Sequence, residues 1–302
     1  MEIKWIEDFL ALAKYQNFSK AAESRSLTQS GFSRRIQSLE QWMGGELIDR
    51  SSYPPTLTAS GKLFRERAEE ILRQLFETRV MIRNQQRIPG VALQISAGHT
   101  ISLNFLPDWL HDLASSYGEV PARIVPSNVH DAVLMLVNGG CELMLSYHHP
   151  QLPLLLDPAR YDFLTIGQDV LMPISLPSAK GAALFRVPEK SGTQIPLLAY
   201  NENSFFGRCV QMLLEREQAG VMLRPYCESD MAELLKKMAL QGHGLAWLPL
   251  SSVTKELERG ELVSAGDEHW CLDLDIRLYR DRGTTNEALE KLWRFLEVKV
   301  AQ

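Results

Sequence analysis

The 302-residue sequence predicts an α/β protein with a mainly helical N-terminal head that carries a small two-stranded wing, one long helix behind it, and a larger body of alternating strands and helices in two lobes. Three observations lead there. Apolar residues recur at helical spacing as far as residue 87. Beyond Pro89-Gly90 short apolar runs alternate with helical periods, the pattern of strands joined by crossover helices. The charge divides at the same place: residues 1–88 hold 14 Lys and Arg against 11 Asp and Glu, the remainder 18 against 26.

The head begins with a helix over residues 3–13. Trp5, Phe9 and Leu12 set its apolar stripe, and Ile6 and Leu10 widen it. Asn17 interrupts the pattern, and Ser19 is expected to cap a short helix through Lys20-Ala21-Ala22-Glu23, whose alanines admit a close neighbour. Thr28 is the expected N-cap of the next helix. That helix buries Phe32, Ile36, Leu39 and Met43 and turns Ser30, Arg34, Gln37, Ser38 and Gln41 outward, with Arg35 on the flank. Gly44-Gly45 stops it. A short helix, a turn and a longer helix with a Gln, Ser and Arg face form the helix-turn-helix pattern, whose second helix can enter a major groove. Gln suits adenine, Arg suits guanine, and Ser or Thr suits bases or phosphates. A solvated polar face is the alternative.

Residues 47–50 and 56–57 predict short strands around a Ser-Pro-rich loop, a wing that would bring Arg50 near the DNA backbone or minor groove. A long helix follows, capped at Thr58 or Ser60 and reaching about residue 87. Phe64, Ala68, Ile71, Leu75 and Ile82 mark a heptad seam suited to a second chain.

In the body, strands are expected at 92–97, 123–126 and 143–147, with helices at 103–115 and 129–138 between them. A second run places strands at 197–200, 226–228 and 244–248 and helices at 206–217 and 231–240, before a last strand at 272–279 and helix at 286–298. Each run predicts a parallel sheet. The stretch 165–176 and residues near His269 are the expected crossovers, and a cleft between two such lobes binds small ligands.

The motifs resemble those of the LysR-type transcriptional regulators. The likeness is carried by Asn17-Phe18-Ser19-Lys20-Ala21-Ala22, by Thr28-Gln29-Ser30-Gly31-Phe32-Ser33-Arg34-Arg35-Ile36-Gln37-Ser38-Leu39-Glu40, by Gly45-Glu46-Leu47-Ile48-Asp49-Arg50 and by Leu57-Thr58-Ala59-Ser60-Gly61. In the body it is carried by Ser96-Ala97-Gly98-His99-Thr100 and by the run from Ala239 to Pro249. Where the family usually has Pro-Ala or Pro-Ser, this chain has Ser30-Gly31, which softens the start of the reading helix.

The resemblance implies a winged helix-turn-helix DNA-binding domain at 1–57, a dimerisation helix at 58–89, and a periplasmic-binding-protein-like regulatory domain at 90–302. Lobe I would take about 90–165 and 267–302, and lobe II about 166–266. Ser19, Thr28, Gln29, Ser30, Ser33, Arg34, Arg35, Ser38 and Arg50 would contact DNA. His99, Thr100, Ser102, Asn203, Ser204, Phe205 and Phe206 would line the effector cleft, although the hydroxyls also suit helix caps and the phenylalanines also suit packing. The implied partners are a double-stranded DNA operator, further copies as homodimer or homotetramer, a small-molecule or oxidant effector, and RNA polymerase.

Asn203-Ser204 with Gly207-Arg208, and the run from Ser229 to Lys236, are similar to the hypochlorite-responsive branch of that family. This nominates Met231 for redox sensing, since oxidation makes a methionine polar. No Met stands beside Gly207, where Phe205-Phe206 are, which departs from that branch.

Cys141, Cys209, Cys227 and Cys271 have no metal or redox spacing and are expected as thiols. Adjacent His148 and His149 on a strand would point to opposite faces and not chelate together. No catalytic motif and no cofactor or metal is expected, and an enzyme or a solute-binding protein on the same cleft is the alternative. No apolar run reaches the ~18–20 residues of a membrane span, and no secretory signal is visible, so a cytoplasmic protein with no membrane partner is expected.

Overall fold

The structure is a computed structural model that describes residues 2–25, 27–52, 54–85, 92–154, 156–187, 194–217, 222–284 and 286–300, without the side chains at 69, 73, 76, 77 and 79–85. It forms two compact units, Met1–Gln86 and Arg87–Gln302.

The first unit contains α1 (Ile3–Tyr15), α2 (Phe18–Ser24), α3 (Gln29–Met43), a two-stranded wing of β1 (Ile48–Asp49) and β2 (Thr56–Leu57), and α4 (Ala59–Gln85). Asn17, and not Ser19, caps α2: its side chain accepts from the Lys20 N–H at 3.0 Å. Thr28 caps α3 through the Gly31 N–H, and Gly44 closes it in the left-handed conformation at φ 74°. Thr58 caps α4 through the Gly61 N–H at 2.9 Å. A side chain at Gly61 would run into the Leu47 carbonyl, so glycine lets α4 approach the base of the wing. Ile48 pairs with Leu57 and Asp49 with Thr56.

The core of this unit gathers Ile6, Phe9, Leu12, Phe32, Ile36 and Leu39 with Leu47, Phe64 and Ala68. Two expectations change here. Met43 is exposed at the end of α3 and does not join the stripe. Phe64 and Ala68 are buried within the chain and offer no surface to a second one. The Phe64 ring lies 5.0 Å from that of Phe9, because the first turns of α4 lie on α1.

The second unit runs β3 (Leu93–Gly98), α5 (His99–Asn104), α6 (Leu106–Ser116), β4 (Ala122–Ser127), α7 (Val129–Val137), β5 (Leu143–His148), β6 (Tyr161–Ser175), β7 (Ile195–Ala199), α8 (Phe205–Glu217), β8 (Leu223–Glu228), α9 (Ala232–Leu240), β9 (Ala246–Pro249), α10 (Leu250–Glu258), β10 (Val263–Ser264), β11 (Leu272–Asp281) and α11 (Glu287–Val300). The expected single helix over 103–115 is divided at Phe105 into α5 and α6. Pro107 explains the break: it has no N–H to donate, and its ring clashes with the carbonyl four residues back.

The sheet is mixed and not parallel throughout. β3 pairs in parallel with β4 and β5, and β7 with β8. β11 runs antiparallel to both β5 and β6, and β9 and β10 run antiparallel to the far end of β6. The long β6 thus carries the chain between the two sets of strands, as expected of 165–176, and β11 is the returning strand behind His269. One continuous apolar core, including Trp247, Trp270 and Trp293, packs these strands against α8, α9 and α11. Among the described residues no helix is long and apolar enough to cross a membrane.

Candidate functional site

The head presents α3 with one face buried and one open. Gln29, Ser30, Arg34 and Gln37 are exposed, Ser33 and Ser38 are half-buried, and Ser19 and Lys20 are exposed on α2. Thr28 is exposed as well, but its hydroxyl is engaged as the cap. The fold fastens this arrangement with two buried carboxylates that carry no recognition chemistry of their own. Glu40 accepts the Leu47 and Ile48 N–H groups at 2.9 and 3.0 Å and takes Arg50 at 2.5 Å. Arg50, expected near the DNA, is therefore tied back to the end of α3.

Asp8 on α1 accepts from Arg25 Nε at 2.9 Å and from Arg35 Nη1 at 3.2 Å. Glu7 takes the Arg25 Nη2 at 2.5 Å. Burial lowers the Arg25 pKa, but its bonds to Asp8 and Glu7 outweigh that and the net shift is upward. Asp8 and Glu40 both lie in apolar stripe positions. Asp8 falls in the series 5, 8, 9, 12, and Glu40 in the series 32, 36, 40. A carboxylate at a stripe position must find a partner inside, and that was the available signal for both.

Farther along α4, Ile71 and Leu75 are 44% and 39% exposed and keep an open apolar surface. The Ile82 side chain lies outside the described residues.

In the second unit, most of the expected effector residues are engaged by the fold itself. His99 is exposed and Thr100 is buried. The Ser102 hydroxyl donates to the Ala97 carbonyl at 3.3 Å. Asn203 is exposed, and its N–H is held by the Asn201 side chain. Ser204 caps α8: its Oγ donates to the Asn201 carbonyl at 2.7 Å and accepts from the Gly207 N–H at 3.1 Å. A side chain at Gly207 would run into that same Asn201 carbonyl, so the turn requires glycine there. Phe205 and Phe206 are buried core residues. Phe206 lies 5.2 Å from both Tyr147 and Tyr200, and Phe205 stacks on Tyr147 at 6.4 Å.

Beneath these rings is a network that the sequence did not reveal. The Tyr147 hydroxyl donates to buried Asp169 at 2.8 Å, and Asp169 also accepts from Ser251 Oγ at 2.6 Å and from two backbone N–H groups. Burial, then the Asp169 charge, hold the Tyr147 phenol well above its ordinary range. The Tyr200 hydroxyl is buried with no partner among the described residues. Asn104 of α5 donates to Glu233 of α9 at 3.2 Å, a link between elements from the two expected lobes.

Met231 is 50% exposed at the N-cap position of α9. Burial pushes the Cys209 thiol up to about 12, and Cys141 is buried, whereas Cys227 and Cys271 are partly exposed. Among the described residues no group of three His, Cys, Asp or Glu could hold a metal.

Residues 3–62 match the family model described as bacterial regulatory helix-turn-helix protein, lysR family, and residues 89–300 match the LysR substrate binding domain. The HTH-type transcriptional regulator YjiE of Escherichia coli K12 is 32% identical over 98% of this chain and 94% of its own. The structure of Vibrio fischeri DarR in complex with DNA superposes with a TM-score of 0.59 at 33% identity, over 98% of each chain. Full-length HypT of Salmonella typhimurium, a hypochlorite-specific LysR-type transcriptional regulator, gives 0.61 at 30% identity, over 100% of this chain and 99% of that one.

Proposed function

Because the chain belongs to the LysR-type transcriptional regulators, with a DNA-binding helix-turn-helix and an effector-binding domain, we propose that it reads a promoter operator with α3 and changes its promoter binding when the second unit senses a small molecule or an oxidant. The observation that carries this reading is the open face of α3, where Gln29, Ser30, Arg34 and Gln37 stand exposed on a helix whose other face is buried. Gln and Arg side chains at successive turns can reach base edges, while Ser19 and Lys20 of α2 lie near the phosphates.

Residues 1–88 carry only a small net positive charge, 14 Lys and Arg against 11 Asp and Glu, so one copy holds a polyanion weakly and tight binding needs two. Ile71 and Leu75 give α4 the apolar surface for a second copy, and DarR bound to DNA supports a duplex as partner. A dimer or tetramer meeting RNA polymerase at the promoter, inside the cytoplasm and without catalysis, completes the reading.

The likeness to hypochlorite-specific HypT and the half-exposed Met231 favour an oxidant as the signal. Mapping of bound genomic sites with and without a mild hypochlorite dose tests this. The expected result is a changed set of occupied promoters, with sulfoxide concentrated at Met231. Uniform methionine damage with unchanged occupancy would remove the oxidant from the account. Leu75→Lys is expected to convert the oligomer to monomers in sedimentation, and an intact oligomer would move the interface off this part of α4.

A further inference from the structure

Asp8 has no exposed surface, and each of its carboxylate oxygens takes a different arginine. Arg25 ends α2 at the turn, and Arg35 is on α3 directly after exposed Arg34. One carboxylate therefore fastens α1 to the turn and to the reading helix at once. The apolar contacts of Phe32, Ile36 and Leu39 hold α3 close, but they are non-directional and tolerate small slides and rotations. Charge-assisted hydrogen bonds are directional and fix register. Thr28 caps the first turn of α3 through the Gly31 N–H, and the bond from Arg35 adds a second fixed point one turn later.

The same bonds redistribute charge. Of the four basic residues between positions 20 and 35, Arg25 and Arg35 are half-buried and pair with half-buried Glu7 and buried Asp8, in a cluster whose formal charges balance. Lys20 and Arg34 remain on the exposed surface.

We propose that Asp8 is a positioning residue for sequence reading: through Arg25 and Arg35 it sets how α3 presents Gln29, Ser30, Arg34 and Gln37, and it keeps both arginines from serving as phosphate contacts. The proposal rests on α3 being the DNA-reading helix.

The test uses the full chain, a duplex selected by it from a random 30-base-pair library, and a scrambled duplex of the same composition. Asp8→Asn keeps the shape and removes the charge. It is expected to weaken binding to the selected duplex at least tenfold and to leave binding to the scrambled one within twofold. Equal loss on both duplexes, or no loss on either, overturns the positioning role. Arg35→Gln decides the matter independently if Asp8→Asn does not fold. It too is expected to lose preference for the selected duplex, with the slope of log affinity against log salt unchanged. A phosphate contact would lower that slope by roughly 0.9, the drop expected for Arg34→Gln if Arg34 meets phosphate. A fall of that size in Arg35→Gln overturns the clamp. Absence of salt dependence in the unaltered chain would strike at the DNA interface itself and leave the clamp's geometry to be explained otherwise.

Discussion

Two helix starts in this chain have the same chemistry and opposite outcomes. Thr28 caps α3 with its hydroxyl on the N–H three residues on, and the residues behind it, Gln29 and Ser30, stand exposed. Ser204 caps α8 in the same way, and the residues behind it, Phe205 and Phe206, are buried against Tyr147 and Tyr200. The first start is a surface prepared before any partner arrives. The second is part of the core. The proposed DNA reading rests on the exposed groups at the first start; at the second, the Ser204 hydroxyl and the two phenylalanine rings already hold the fold. A ligand at Ser204 must compete with, or add to, a cap already made.

Substitutions at the two starts should separate these roles. The largest effect is expected from Phe206→Ala. Truncating a buried aromatic costs about 3–5 kcal/mol, so calorimetry should show the second unit melting well below its normal temperature while the first keeps its own transition. A loss under about 1 kcal/mol would mean that Phe206 is a lining residue and not a core one. Next, removing either cap, by Thr28→Ala or Ser204→Ala, should cost about 1 kcal/mol in the unit concerned. Only Thr28→Ala should also weaken duplex binding, by severalfold, as measured by fluorescence anisotropy. If Ser204→Ala weakens it equally in the absence of effector, the two starts are not independent and the contrast fails.

The same contrast explains what could be read in advance. Thr28, Gly44, the wing pair and the crossover strand all follow from local rules: a hydroxyl before a periodic run, a glycine after it, a Pro-rich loop between apolar pairs, a long run between two lobes. Most of the differences arise where the deciding partner is distant in sequence; the cap of α2 and the start of α10 are local exceptions. Asn17 displaces Ser19 as a cap by a shift of only two positions, within the margin of any local rule. Phe64 and Ala68 fit a heptad seam as well as Ile71 and Leu75 do, and periodicity cannot tell that the first turns of α4 lie on α1 of the same chain. Helix α10 follows Pro249 without a side-chain cap and carried no opening signal. Arg35 and Arg50 belong to the DNA-contacting pattern by position, and their ion pairs with Asp8 and Glu40 add to that reading what the sequence did not show, because a basic residue's partner is not visible in its own segment. Asp169 is the same case in the second unit: nothing near it in sequence announces Tyr147 or Ser251.

The proposed role of the open face of α3 is to read base sequence. Titration of Arg34→Ala against a duplex selected by the unaltered chain tests that role. A loss of about 1–3 kcal/mol in affinity for the selected duplex is expected, with base preference relaxed at one position in each half-site. An unchanged affinity and an unchanged preference would contradict it.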